Sequence, residues 1–284
     1  MRPGHVLTGW ANLHWRGGRW FTGTDAAGRE LPIDVLIGTH DIRRRPGLRL
    51  SGEQVGEHLK EVVDGVAVAD VRAAVAFAMR YAPSLRAAVR VLDMAAYDDL
   101  VSIAEMDEFI NPGLSSWTGV PRARDALLLG SESMWSPTEA DLSVVWVVVA
   151  ARPRPLGNPP VFDRLTGRHV VTPDVFDPVA GVAGDYEGEV HLGRAVRAAD
   201  VRREAILRDY GIEQVVMTSA DRGDPTAFVR RLDQAYARAA ARKLVRRRWT
   251  IDPPSWWTPT MTVAQRRALD PDQRRRLLRY RATS

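Results

Sequence analysis

Short apolar or aromatic runs, broken by Gly and Asp, fill residues 1–55 and predict strands at 6–15, 19–22 and 31–37. Residues 61–69 alternate around Asp64-Gly65, a hairpin pattern with its turn dipeptide. The period then becomes helical. Val71, Ala74, Val75, Phe77 and Ala78 share one face, an Ala-rich repeat resumes over 85–96, and a third helix is predicted over 98–110. Asn111-Pro112-Gly113 ends that helix, and 120–130 reads as a short fourth.

A second unit begins near Ser131. Ser136-Pro137-Thr138-Glu139 opens a helix, with Ser136 as cap, Pro137 at the first position and Glu139 completing an S-x-x-E box. Its apolar face runs through Leu142, Val145, Trp146 and Val149. Strands are predicted at 160–164, 169–176 and 182–190, with a turn at 165–168. A helix over 199–210 stops at Gly211, a strand follows at 212–218, and Asp224-Pro225 opens a helix to about 245. The succession α-β-β-β-α-β-α predicts a mixed sheet with helices on its faces. The class is α+β or α/β. A β-rich then helical domain spans 1–130, a second domain spans 131–245, and a tail rich in Trp and Arg spans 246–284.

Composition narrows the function classes. The 284 residues are 45% hydrophobic and 26% charged, as in ordinary globular domains. No apolar run reaches the length of a membrane span; 142–151 is the longest and reads as core. No leader with an apolar core is evident at the N-terminus. The absence of cysteine excludes disulfides, thiolate metal sites and cysteine nucleophiles, and fits a reducing cytoplasm. From 241 to 284, twelve Lys and Arg face three Asp, a surplus of nine. The whole chain is +5, so residues 1–240 carry −4. A basic tail on a mildly acidic body points to a polyanionic partner, most simply DNA, through Arg246, Arg247, Arg248, Trp256 and Trp257. A solvated tail whose tryptophans dock onto the body is the plainer account of the same residues.

The candidate chemistry lies at 173–191. Asp185 and Glu187 are two apart on a strand and share a face. An antiparallel neighbour can bring Asp174 beside Asp185. Gathered carboxylates repel and lose hydration unless a cation or basic group joins them. Asp174, Asp185 and the main-chain carbonyl of Tyr186 are oxygen ligands suited to Mg²⁺ or Mn²⁺, which lowers the pKa of a bound water and offsets phosphate charge. Glu187 is either a further ligand or a holder of the attacking water. His191 is placed either to protonate a leaving oxygen or to contact the phosphate. Taken singly, each acid is also an ordinary turn or surface residue.

This order resembles the PD-(D/E)XK nuclease superfamily, and most closely its small very-short-patch-repair-like (Vsr-like) endonuclease domains. Ser136 to Glu139, Pro173-Asp174, Gly184 to Gly188, His191 and Asp200 to Glu204 carry the resemblance, which covers about 131–240. It implies a restriction-endonuclease-like core that hydrolyses DNA phosphodiester bonds with Mg²⁺ or Mn²⁺. It further implies Asp174 and Asp185 as ligands, Glu187 as the third acid, Glu139 as a helix carboxylate near the metal, and His191, Asp200 and Arg203 as supporting groups. Related domains usually read Glu-x-Asp-Gly where this chain reads Asp185-Tyr186-Glu187-Gly188, and the superfamily's lysine is absent. The N-terminal part is similar to the body of AbiEi-type antitoxins through Val62 to Ala67 and the helix at Asp70, without their winged helix. The alternative function is a catalytically inactive, DNA-binding or antitoxin-like regulator on the same scaffold.

Overall fold

The computed structural model describes residues 5–25, 28–38, 45–114, 117–188, 194–242 and 247–282, and the side chains of 194–201 are outside that description. The fold mixes helices with mixed sheets, and the chain divides into two compact units after Gly130. Among the described residues no helix is long and apolar enough to cross a membrane.

The first unit holds β1 (Val6–Leu7), α1 (Gly9–Trp15), β2 (Ile33–Leu36), β3 (Leu48–Ser51), β4 (Lys60–Val63) and β5 (Val66–Ala69). Helices α2 (Val71–Arg80), α3 (Leu85–Tyr97), α4 (Ile103–Ile110) and α5 (Val120–Leu129) follow. The sheet order is β3-β2-β1-β5-β4. The Asp64-Gly65 hairpin is as expected, with both residues left-handed at φ 48° and 77°. Asp70 and Ser102 cap α2 and α4 through side-chain bonds to Arg72 and Glu105.

The expected strand over 6–15 is a strand of two residues and then a helix. Gly9, at φ 58°, turns the chain where any Cβ would collide with Asp34. The Asn12 amide then donates to the Leu7 and Ala69 carbonyls, tying α1 to the ends of β1 and β5. No strand forms over 19–22. The early tryptophans are placed separately: Trp15 is 45% exposed, Trp10 donates to the Pro32 carbonyl, and Trp20 packs edge-on against Tyr97. The Asp98 carboxylate accepts from the Arg19 amide at 2.8 Å.

The second unit opens with α6 (Pro137–Val144), extended by a π-helical turn at Val145–Val149. Leu142, Val145 and Trp146 are buried as expected, whereas the widened turn carries Val149 out to solvent. Short strands follow: β6 (Leu156–Gly157), β7 (Val161–Asp163), β8 (His169–Val171), β9 (Val175–Asp177) and β10 (Val182–Glu187). Then come α7 (Arg194–Asp209), β11 (Glu213–Thr218), α8 (Thr226–Ala241), β12 (Trp249–Thr250), α9 (Val263–Arg267) and α10 (Pro271–Leu277). The main sheet runs β11-β10-β9-β6, antiparallel except for the parallel β10–β11 pair.

Strand assignment over 160–176 departs from expectation. The predicted strand at 169–176 is broken at Thr172-Pro173-Asp174, because Pro173 has no amide to donate to a ladder. Its first half, β8, pairs with β7 in a separate β12-β7-β8 sheet, and its second half, β9, joins the main sheet. The edge strand there is β6, not 160–164.

Residues 247–282 belong to this second unit rather than to a detached tail. Trp249 is buried edge-on to Phe176, Trp257 stacks on His169 and meets the Phe162 edge, and Trp135 stacks on Tyr280. Leucine and tryptophan spaced among the arginines give this segment an apolar side to bury.

The main sheet buries both faces. Ala183 and Phe176 meet Leu207 and Ile212 on one side. On the other, Gly184 lets Trp146 and Val175 come within contact of the strand, where a Cβ would lie 2.8 Å and 2.7 Å from them. Here Tyr236 accepts from Trp146 Nε1 at 3.2 Å and donates to Asp177 Oδ2 at 2.7 Å. The other Asp177 oxygen takes the amides of Val179 and Ala180 at the β9–β10 turn. Asp177 is buried, and the tyrosine hydroxyl is held far into its protonated form by burial and by that carboxylate. Tyr236→Phe strands a buried donor and a buried acceptor together. A loss of about 1–3 kcal/mol is expected as a lower urea midpoint at unchanged slope. A midpoint equal to wild type would show that the network is not stabilising.

Candidate functional site

Asp174 does not lie on a strand. It sits in the bend between β8 and β9, directly after Pro173. Asp185 lies on β10, 7% exposed. The two are locked reciprocally: the Asp174 amide donates to Asp185 Oδ1 at 3.2 Å, and the Tyr186 amide donates to Asp174 Oδ2 at 2.7 Å. Asp174 Oδ1 accepts no hydrogen bond among the described residues.

Glu139 reaches the same place from α6. Its amide bonds Ser136 Oγ at 3.2 Å, so the cap forms as expected. Its carboxylate turns inward, 8% exposed, and accepts from Trp135 N at 2.7 Å, Ser136 Oγ at 2.9 Å and Asn158 Nδ2 at 2.6 Å. Asn158 adopts φ 44°, which Asn tolerates better than most residues, and donates its own amide to the Asp174 carbonyl at 2.9 Å. Its Oδ1 is buried without a partner among the described residues.

Alternation on β10 points Ala183, Asp185 and Glu187 toward α7. Leu207 packs on Ala183, and Arg203, one turn earlier, reaches Asp185 Oδ1. The same guanidinium nitrogen bonds the Thr172 carbonyl at 3.0 Å. On β11, Gln214 pairs with Ala183 in register and so shares this face; its Nε2 donates to Asp185 Oδ2 at 2.7 Å. These groups open on a cavity of about 760 Å³, which Glu187 also lines from the exposed strand end.

Electrostatics follow from this crowding. Burial first, then the charges of Glu139 and Asp185, push the Asp174 carboxyl up to about 8, against the Tyr186 amide and Arg203. Burial also raises Glu139, against its hydrogen bonds from Trp135, Asn158 and Ser136. Of the acidic oxygens, Asp174 Oδ1 is left without a donor among the described residues and is of the hard kind that Mg²⁺ takes, whereas both Asp185 oxygens and the Glu139 carboxylate are held by neighbouring donors. As the side chains stand, no group of three acids or histidines among the described residues is drawn together closely enough to hold an ion.

The structure thus brings together Glu139, Asp174, Asp185, Glu187 and Arg203. The Tyr186 phenol is engaged by Arg222, so its share in the acidic side is its main chain. His191 and Arg246 lie outside the described residues. Arg247 bonds the Pro178 and Val179 carbonyls, and Arg248 bonds the Asp209 carbonyl. The β9–β10 turn that Arg247 holds is at the opposite end of that hairpin from Asp174 and Asp185. Trp257 takes the docking role already described, while Trp256 is 61% exposed. Sequence reasoning missed Asn158 and Gln214. The Asn158-Pro159 turn dipeptide was the one available signal for the first, and nothing local marks the second.

The chain matches no protein-family model, no curated protein and no solved structure.

The raised Asp174 carboxyl sets a pH dependence. The folded chain keeps this proton to about pH 8, whereas the unfolded chain releases it near the ordinary 3.8. Its stabilising contribution is therefore complete below about pH 4 and is lost as pH rises toward 8. In EDTA, wild type should lose melting temperature between pH 5 and 8.5. Asp174→Asn should flatten that slope and melt several degrees above wild type at pH 8.5. Parallel profiles for the two proteins would refute the crowding.

Proposed function

We propose that the chain is a divalent-cation-dependent endonuclease of the PD-(D/E)XK kind that hydrolyses DNA phosphodiester bonds. The observation that carries this reading is the meeting of Glu139, Asp174 and Asp185, with the Asp174 carboxyl pushed to about 8. A carboxyl shifted this far by burial and neighbouring acids, and lining a cavity, is the kind of group that functional sites gather. A sheet ordered β6-β9-β10-β11, whose last pair alone is parallel, supports a restriction-endonuclease-like core, and so does the helix between β10 and β11.

In this reading Asp174, Asp185 and the Tyr186 carbonyl would hold Mg²⁺ or Mn²⁺. Such an ion supplies a water of lowered pKa and positive charge against the phosphate. The chain's own residues do the rest. Glu139 fixes Asn158 and, through it, the bend that carries Asp174. Arg203 neutralises Asp185 at rest and presents its guanidinium to a phosphate in the cavity. Glu187, free of the core at the strand end, orients a water. The exposed Arg267, Arg275, Arg276 and Arg279 offer charge to a nucleic-acid backbone. The lack of cysteine supports a cytoplasmic location.

One observation favours a second reading, an inactive DNA-binding or antitoxin-like regulator. Both Asp185 oxygens are already held, by Arg203 and Gln214. Calorimetry with Mn²⁺ separates the two: heat of binding that disappears in Asp185→Ala supports the nuclease, and no heat in wild type supports the regulator. For activity, Asp174→Ala should lower Mg²⁺-dependent nicking of supercoiled DNA by about 100-fold or more, with a retained fold by circular dichroism. Nicking at the wild-type rate would sink the assignment.

A further inference from the structure

The cavity that holds Asp174 and Asp185 continues around the free edge of β11 to a second, basic end. Here Glu213 points away from Gln214, onto the face where α8 packs. Its carboxylate is buried, and each oxygen is taken by one arginine: Oε2 by Arg238 Nε at 2.7 Å, Oε1 by Arg242 Nη2. The two arginines are four residues apart on the last turn and cap of α8, so they stand on one side. Two guanidiniums against one carboxylate leave a surplus positive charge. Their side chains are still 54% and 40% exposed. Arg238 Nη1 and Nη2, with Arg242 Nε and Nη1, make no hydrogen bond among the described residues. Arg242 Nη1 lies over Gly211, 3.1 Å from where a Cβ would be, so the missing side chain opens this end. Leu207 and Ile212 line the wall between the acidic and basic ends.

Resting on the nuclease reading, we propose that Arg238 and Arg242 form a second phosphate subsite, which takes a phosphate of the same DNA strand beside the one held at the acids. Buried Glu213 fixes the guanidinium planes with their remaining N–H edges outward, a fork suited to phosphate oxygens. The apolar wall suits the sugars between two phosphates. The strand therefore crosses the β11 edge rather than lying along one face of the sheet. The adjacent, oppositely directed residues Glu213 and Gln214 organise the two ends.

The test is binding of a fluorescein-labelled oligonucleotide in EDTA, read by anisotropy across a salt series. The double change Arg238→Gln and Arg242→Gln would bury an unpaired carboxylate, so the triple variant with Glu213→Gln is used, and its melting curve confirms the fold. Losing this one phosphate contact should make the plot of log K against log salt shallower by about 0.7 for single strands or about 0.9 for duplex. Wild-type binding with an unchanged slope in the folded triple variant overturns the subsite and leaves the nuclease reading standing. No wild-type binding at low salt overturns both.

Discussion

Two backbone amides hold the acidic site together. The Asp174 amide serves the Asp185 carboxylate, and the Tyr186 amide serves the Asp174 carboxylate. Each acid thus receives a main-chain donor from its partner's segment. This exchange offsets part of the repulsion between the carboxylates and pins the bend after β8 against the end of β10. Glu139 can then be buried beside them because Trp135, Ser136 and Asn158 supply donors. Without these donors three buried acids would be too costly for a domain whose net stability is on the order of 10 kcal/mol.

The sheet separates chemistry from support. On the α7 side the strands present Asp185 and Gln214 next to a small apolar patch around Ala183 and Leu207. On the α8 side the same strands bury Trp146, Phe228 and Leu232, and the polar exceptions, Asp177 and Glu213, are both fully engaged. The parallel β10–β11 pair makes this possible. Its register aligns Gln214 with Ala183, so the amide side chain reaches Asp185 two residues along. Residues 247–282 then close the second, smaller sheet through Trp249 and Trp257. The surplus arginines of that segment are left on an ordered surface.

How much of this was legible depended on range. The Ser136 cap, the Asp64-Gly65 turn, the Gly211 stop and the helix at Asp70 each involve residues within a few positions of one another, and all form as their local chemistry requires. The apolar run at 6–15 turns helical instead of extended because its decisive contacts, Gly9 on Asp34 and Asn12 on Ala69, are distant in sequence. The break in the strand at 169–176 is by contrast local, since Pro173 itself carries the reason for it.

For the site, the sequence by itself determined which carboxylates were available and that Asp185 and Glu187 share a face, since strand alternation is a property of the backbone. It also determined where Glu139 would sit on its helix. Only the tertiary structure decided that Asp174 meets Asp185 main chain to side chain, that Glu139 turns inward to Asn158, and that Arg203 and Gln214 hold both Asp185 oxygens. Those contacts join segments 11 to 29 residues apart or lie across a loop. Their partners are chosen by sheet register and by which helix face is buried. Neither is encoded in any short stretch of chain, because both are set by how the whole apolar surface of the domain is removed from water.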